Sequence, residues 1–238
     1  MTLMTKRFQY SQLIPQFHNG KRLYLCPDGL RVPSVTTIIS QTKSEQSKAA
    51  IKAWEDKEGP EKAQQIKDEA AKRGTQMHKF LEDYMLNGSL SQPDEDSKQS
   101  HIMAEHIVNK GLVNVNEIWG SEIGLYYPGL YSGTTDAIGI HKNEAAILDY
   151  KQSNKFKSVK YVEDYFLQIT AYALAHNKVY GTNINRGVIL LCVAPPLISP
   201  GVWGEPTYQE FILKPEDFDY WTNKWWARVE EYYTKTLT

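Results

Sequence analysis

Two aspartates and one lysine near the middle of the chain have the types and spacing of a site that handles phosphate through a metal ion. Asp136, Asp149 and Lys151 lie in the segment GTTDAIGIHKNEAAILDYKQS. If residues 141–144 form a hairpin loop, Asp136 falls directly opposite Asp149, with Cβ atoms about 5 Å apart. Lys151 follows Asp149 by two positions and therefore projects from the same face of its strand.

Two facing carboxylates repel each other, and one of them would stay protonated unless a cation lay between them. Oxygen-rich sites of this kind suit Mg²⁺ or Mn²⁺. A lysine beside such an ion can hold the attacking water or offset the negative charge that develops on a phosphate. The alternative is a Lys–Asp salt bridge on a surface hairpin. The apolar run AAIL before Asp149 favours the metal site, because a buried acid without a strong partner is costly.

A basic segment overlaps the end of this cluster. Residues 151–160, KQSNKFKSVK, contain four lysines and no acid. The alternative is a solvated lysine-rich loop, but the position beside Lys151 favours contact with phosphates. Ser153, Lys155 and Lys157 are the candidate contacts, since hydroxyl and ammonium groups suit that task. Because the formal net charge of the chain is −1, nucleic-acid binding would have to come from a local patch such as this one.

Three motifs together resemble a known family of nucleases. Asp136 and the DYK tripeptide at 149–151 resemble the PD-(D/E)xK motif, without the proline of the family name and with GTT before the first aspartate. The segment RGTQMHKFLED at 73–83 is similar to the GT-x-x-H-x-x-x-E helix of the RecB-like branch. The segment DYFLQITAYALAHN at 164–177 is similar to the Q-x-x-x-Y helix of the same branch.

Within this branch the chain resembles in particular the mitochondrial genome maintenance exonuclease and its phage and bacterial relatives, over roughly residues 30–195. VPSVTTIIS at 32–40, a following helix with Trp54, and DYKQSNK at 149–155 add to the likeness. The resemblance implies a metal-dependent DNA exonuclease that degrades single strands from free ends, as in DNA repair or recombination. It also implies that helical residues 44–110 arch over the site, where aromatic side chains could stack on bases.

The resemblance further implies a set of metal ligands. One metal would be held by His78, Asp136, Asp149 and the backbone carbonyl of Tyr150. A second, weaker metal would use Asp136 or Glu82, which shares one helical face with His78 at i, i+4 spacing. The catalytic lysine would orient or activate the water. Read without the family, a helical histidine is more often a surface or satisfied core residue, and Glu82 belongs to a solvated face.

Other residues receive supporting roles. The resemblance places Gln168 and Tyr172, again at i, i+4, beside the catalytic lysine and the DNA backbone; the alternative is an ordinary amphipathic helix. Glu122 could support the metal from the strand before Asp136, or be a strand-edge charge. The two cysteines, Cys26 and Cys192, have no CxxC spacing, so we expect no iron–sulfur cluster and no disulfide.

Two other functions compete with the exonuclease. One is an endonuclease or flap nuclease with the same chemistry and fold. The other is a non-catalytic DNA-binding accessory protein of recombination, whose sequence would lack a ligand or the lysine. The complete set of His78, Asp136, Asp149 and Lys151 favours an enzyme.

The order of the helices and strands expected from the sequence predicts an α/β fold, in which a small mixed sheet is flanked by helices as in restriction endonucleases. The N-terminal half is expected to be helical. Residues 1–34 look irregular apart from a hairpin that turns at Pro27-Asp28-Gly29. Gly59-Pro60 divides the helical region into two helices. We expect one nuclease domain over residues 1–238, which comprises an arch-like region at 44–110, a sheet core at 114–213 and a C-terminal helix at 215–235.

The expected location is the cytoplasm of a bacterium or of a phage-infected cell. The start, MTLMTKRFQYSQLIPQ, lacks the apolar core of a signal peptide and the arginines of a transit peptide. No apolar run reaches the roughly 18–20 residues of a membrane span. We therefore expect DNA as the partner and no membrane contact.

Overall fold

A five-stranded mixed sheet with helices on both faces forms the centre of the fold. The computed structural model describes residues 4–18 and 21–237. The strands are β1 (Ile14–His18), β2 (Lys21–Leu25), β3 (Arg31–Pro33), β4 (Val115–Tyr127), β5 (Tyr131–His141), β6 (Glu144–Ser153), β7 (Gly187–Val193), β8 (Leu197–Ser199), β9 (Val202–Trp203) and β10 (Thr207–Leu213). The helices are α1 (Val35–Gln41), α2 (Glu45–Glu58), α3 (Pro60–Asn87), α4 (Lys98–Lys110), α5 (Glu163–Tyr180) and α6 (Phe218–Leu237).

The central sheet has the order β10-β7-β6-β5-β4. Only β6 and β7 pair in parallel within it; its other neighbours are antiparallel. The strands β1, β2 and β3 form a separate antiparallel sheet, and β8 pairs with β9. The predicted α/β class and mixed sheet are confirmed. Residues 1–34 were expected to be largely irregular, and this was wrong, since β1 adds a strand to the predicted hairpin.

Successive strand residues point to opposite sides of the sheet, and both faces are buried because helices pack on each side. Ile147 and Ile189 pack on one face in a cluster that includes residues of α1, α5 and α6. Leu148 and Val188 pack on the other face in a cluster that includes residues of α3 and α4. Strands buried on both faces read as continuous apolar runs, as AAIL and GVILLCV do. None of the described helices is long and apolar enough to cross a membrane.

The β5–β6 hairpin has the predicted register but a shorter loop. Ile140 pairs with Ala145 as expected, and His141 also pairs with Glu144. The loop is therefore Lys142-Asn143 rather than four residues, and both residues have positive φ, 50° and 67°. Positive φ at both loop positions is what a tight two-residue hairpin of type I′ requires. The prediction of the loop length was wrong, but the register survived because both loops have the same centre.

A helical arm, formed by α2 and the first half of α3 and defined here as residues 45–73, extends from the sheet. No residue of α2 is buried, and in this half of α3 the buried residue is Ala63. Ion pairs link the two helices, with Lys67 bound to Glu55. The Lys67 ammonium also lies 5.9 Å from the ring centre of Trp54. The arm thus depends on polar surface contacts more than on a core of its own.

Candidate metal centre

The candidate site lies where β5 and β6 separate. Their ladder reaches Ala137 and Leu148; beyond that point β6 continues along β7 as far as Ser153. One step further in the same register, Asp136 stands across from Asp149, as the hairpin count predicts. The Tyr150 amide donates a hydrogen bond of 2.6 Å to Asp136 Oδ2. A carboxylate thus replaces the partner strand at this point.

His78 reaches the same place from α3, far away in sequence. Its Nε2 donates to the Tyr150 carbonyl oxygen at 2.9 Å. Its Nδ1 lies 3.4 Å from Asp136 Oδ1 and 3.9 Å from Glu122 Oε1. Both ring nitrogens face acceptors, so the imidazolium form fits these contacts. Burial alone would lower the pKa of His78, but the charge of Asp136 and hydrogen bonds to Asp136 and Glu122 raise it to about 10.

The Asp136 carboxylate is held in its ionised form. Burial by itself would raise its pKa, but the charges of His78 and Lys151 and the Tyr150 hydrogen bond together lower it. The His78 imidazolium is surrounded by two carboxylates and a backbone carbonyl. The oxygen atoms of these three groups could also coordinate a divalent cation. The surroundings of His78 therefore have the donor chemistry of a metal site.

Asp149 is fully buried, and its carboxylate is paired with the Lys151 ammonium. Its side chain is 0% exposed, and neither oxygen accepts a hydrogen bond from any described residue. Lys151 Nζ lies 2.5 Å from Asp149 Oδ2 and forms an ion pair with it. Burial raises the pKa of Asp149, and the negative charge of Asp136 raises it further. Lys151 lowers it, and the net result is a pKa of about 6. With the Lys151 ammonium beside Oδ2, the remaining lone pairs of the buried carboxylate fit a bound metal ion, because unsatisfied buried oxygen atoms are otherwise costly.

Lys151 carries its charge inside the site. Burial opposes that charge, but Asp149 and Asp136 outweigh it and raise the pKa of Lys151. Its ammonium also lies 5.3 Å from the ring centre of Tyr165 on α5, which favours the cation further. The structure thus brings together the aspartates, the lysine and the histidine that the motifs identify.

Glu122 is closer to the centre than the sequence suggests. Its neighbours on β4 pair with the residues on either side of Asp136, so the two acids stand opposite each other. Its backbone has φ +52°, a left-handed conformation that costs a non-glycine residue on the order of 1 kcal/mol and that clusters at functional sites. Among the described residues, His78, Glu122 and Asp136 offer ligand atoms that all lie within 4.8 Å of one another. Asp149 lies outside that group.

A signal for Glu122 was present in the sequence. The turn between β4 and β5 is centred on Gly129, since Tyr127 pairs with Tyr131. Counting outward from that glycine places Glu122 opposite Asp136. Counting residues in this way requires the position of the turn, which the Pro128-Gly129 pair suggests. The positive φ of Glu122, in contrast, is seen only in the folded backbone.

Two glutamates line one cavity of about 430 Å³ beside His78, and they provide a matched test. We expect Glu122→Gln to weaken Mn²⁺ binding by roughly 10- to 100-fold, the range seen when a group that supports a metal is lost. Glu82→Gln should leave the affinity close to that of the parent, because Glu122 lies 3.9 Å from His78 Nδ1, whereas no ion pair joins Glu82 to His78 among the described residues. Isothermal titration of the full chain with Mn²⁺ measures both. Equal losses, or a loss for Glu82→Gln alone, would contradict this assignment.

The predicted pair on α5 is Gln168 and Tyr172, and Tyr172 packs beneath strand β5 at Gly133. Tyr172 is 2% exposed, and a Cβ at Gly133 would lie 2.8 Å from its hydroxyl. Burial and the charge of Asp149 raise the pKa of Tyr172, against a hydrogen bond with Gln168. Gln168 keeps partial exposure. The geometry therefore makes Tyr172 a support packed against β5 and leaves Gln168 as the member of the pair that solvent can reach.

The predicted phosphate contacts lie on one side of the lysine. Ser153 is buried, and its hydroxyl donates to the Lys155 carbonyl at 2.7 Å, so it orders the loop. Lys155 and Lys157 line a cavity of about 570 Å³ together with Tyr165 and residues of the arm such as Trp54. Trp54 is half-buried there. The arm thus forms one wall of a cleft that leads towards Lys151.

Arg73 was not identified from the sequence, and it ties the arm to β6. Its Nε and Nη2 donate to Gln152 Oε1 at 3.0 and 2.7 Å, and it also binds Asn154. Gln152 in turn donates to the Ala70 carbonyl at 2.9 Å. These bonds hold α3 against the strand that carries Asp149 and Lys151. The partners are about 80 residues apart in sequence, so no local pattern could reveal them.

Acids, a histidine and a charged lysine at the point where β5 and β6 separate define a candidate metal centre suited to phosphate chemistry. No family model matches the chain. It is similar to mitochondrial genome maintenance exonuclease 1 of Xenopus tropicalis, with 28% identity over 86% of this chain and 58% of the relative. The human protein of that name is 25% identical over 86% of this chain and 59% of the relative. The chain thus spans less than two thirds of these curated relatives.

One similar solved structure is the crystal structure of SSO0001. It has 13% sequence identity and a TM-score of 0.35, with 82% of this chain and 75% of that chain covered.

Proposed function

We propose that this protein is a metal-dependent DNA exonuclease of the PD-(D/E)xK superfamily, RecB-like branch, which hydrolyses single strands from free ends. The observation that carries the proposal is the meeting of His78, Glu122 and Asp136 beside the ion pair of the buried Asp149 with Lys151. Relatives named as exonucleases support it. The expected setting is DNA repair or recombination in the cytoplasm of a bacterium or a phage-infected cell, and that setting remains a prediction.

The residues that would hold the ion are His78, Asp136, Asp149 and the Tyr150 carbonyl, with Glu122 added from the geometry. A bound Mg²⁺ or Mn²⁺ supplies a Lewis acid for the scissile phosphate and the leaving oxygen. Since His78 Nδ1 lies 3.4 Å from Asp136 Oδ1 and 3.9 Å from Glu122 Oε1, the imidazolium must release its Nδ1 proton before that nitrogen can act as a ligand beside these acids.

Other residues of the site would handle the water, orient the ligands and bind the DNA backbone. Lys151, charged and paired with Asp149, holds the attacking water and offsets negative charge in the transition state. The Tyr150 backbone connects two of the proposed metal ligands, because its amide donates to Asp136 and its carbonyl accepts from His78. Lys155 and Lys157 contact phosphates of the strand in the cleft.

The arm supports the preference for a strand end. It forms one wall of the cleft that Lys155, Lys157 and Tyr165 also line, and Arg73 fastens it to β6. A strand that must pass beneath a fastened arm enters by its end, which disfavours closed circles and broad duplexes. An endonuclease or flap nuclease would need the arm to open.

The decisive experiment compares end-labelled linear single strands, the same strands in duplex, and circular single strands. We expect cleavage of linear single strands in Mg²⁺ or Mn²⁺, none in EDTA, and little of circles. Cleavage of circles would replace the exonuclease by the endonuclease. Binding of DNA without cleavage in either metal would favour the non-catalytic accessory protein.

A further inference from the structure

The loop after β6 presents large apolar side chains to solvent between lysines. We define residues 154–161, NKFKSVKY, as the lysine–aromatic loop. Phe156 is 72% exposed, Val159 65% and Tyr161 64%. Lys155 and Lys157 flank Phe156, and the Lys160 ammonium lies 4.8 Å from the ring centre of Tyr161. Exposed aromatic rings alternating with cations are the composition of a surface that stacks on bases and neutralises phosphates.

The exposure of Phe156 belongs to an ordered backbone. On one side, Ser153 binds the amide and the carbonyl of Lys155. On the other side, Gln209 of β10 accepts from the Lys157 amide and donates to the Lys157 carbonyl, both at 2.8 Å. The Tyr161 amide closes a turn by donating to the Ser158 carbonyl at 2.9 Å. Phe156 therefore projects from between two fastened residues.

The loop adjoins the catalytic end of the cleft. Lys155 and Lys157 line the same cavity as Tyr165, whose ring centre lies 5.3 Å from the Lys151 ammonium. A strand whose phosphate reaches Lys151 would thus have neighbouring nucleotides near the loop. A duplex keeps the faces of its bases inside the stack, whereas an unpaired base offers a free face.

We propose that Phe156 stacks on an unpaired base of single-stranded DNA while Lys155 and Lys157 neutralise adjoining phosphates. The loop is then a platform that selects single strands beside the active centre. The inference rests on the proposed nuclease function for its choice of nucleic acid. Its test uses binding, so that the two proposals can fail separately.

The experiment measures the affinity of the full chain for a fluorescent single-stranded oligonucleotide in EDTA, by anisotropy, so that cleavage plays no part. Phe156→Ala should weaken binding by roughly 5- to 100-fold, the equivalent of losing one base–aromatic stack. Phe156→Trp should retain the affinity of the parent. The matched control is Phe17→Ala, since Phe17 is 79% exposed on β1, in a sheet separate from the one that carries the site.

An abasic oligonucleotide of the same length separates stacking from charge. Parent and Phe156→Ala should bind it equally, because the stacking partner is missing. Lys155→Gln should weaken binding to both oligonucleotides and make the affinity less dependent on salt. Equal affinity of Phe156→Ala and parent for the normal strand, or an equal loss on the abasic strand, would overturn the proposal.

Anionic lipid vesicles provide the remaining comparison, because exposed aromatic and basic side chains also suit a membrane surface. If Phe156→Ala abolished vesicle co-sedimentation but left DNA affinity unchanged, the loop would be a membrane contact and the proposal would be wrong. If the stacking results held but no metal supported cleavage, the platform would stand and the nuclease proposal would fail.

Discussion

Lys151→Ala should slow cleavage of linear single-stranded DNA by roughly 10²- to 10³-fold, the cost of removing one group that stabilises charge in a transition state. Most of the loss should appear in kcat, because Lys151 acts on charge that develops during the reaction. The physical reason is the position of the charged Lys151 side chain, which is half-buried beside the fully buried Asp149. Steady-state kinetics with an end-labelled strand in Mn²⁺ measure the effect.

The controls for this prediction separate chemistry from folding. Removing one partner of a buried ion pair is destabilising by about 3–5 kcal/mol, so Lys151→Ala must be checked by circular dichroism and thermal unfolding. Lys151→Met keeps the length of the stem beside Tyr165 and should lose activity to the same extent. Lys178→Ala, at an exposed lysine near the end of α5, should be fully active. Retained cleavage in both Lys151 variants would refute the proposed mechanism.

Asp136→Asn should abolish both metal binding and cleavage. Asp136 is central to the group with His78 and Glu122, and its other oxygen accepts from the Tyr150 amide. The amide of asparagine has the same size but a weaker and uncharged ligand oxygen. We therefore expect the Mn²⁺ affinity to fall by more than the roughly 10- to 100-fold loss caused by changing a supporting group.

Thermal unfolding with and without Mn²⁺ reads out this second prediction without any DNA. The parent should gain stability from the ion, because a ligand that binds the native state stabilises it by mass action. Asp136→Asn should gain none. The control is Asp83→Asn, on the same helix as His78 but bonded to Ser91 at 2.6 Å, and it should respond as the parent does. A shift with Mn²⁺ in Asp136→Asn as large as in the parent would remove Asp136 from the ligand set.

Much of the architecture was predictable because it follows from short-range periodicity and turn chemistry. Ser34 caps α1 by accepting from the Thr37 amide at 3.0 Å, and α3 ends at Gly88 in the left-handed conformation, φ +75°. The β8–β9 hairpin was missed because its apolar residues, such as Ile198, are exposed and show no buried alternation. Local patterns predict elements well where one face is buried and poorly where none is.

The residues of the site also fall into two groups, those predictable from local sequence patterns and those that only tertiary packing brings together. The alternation of side chains along two strands joined by a tight turn was enough to place Asp136, Asp149 and Lys151 together, and an error in the loop length left the register unchanged. The contact of His78 with the Tyr150 carbonyl depended on packing α3 against the sheet. Tertiary structure alone supplied the positive φ of Glu122, the Arg73 bonds to β6 and the Gln209 clamp on the lysine–aromatic loop. Register within a hairpin is set by neighbours in sequence, whereas these contacts join residues that become neighbours when the chain packs.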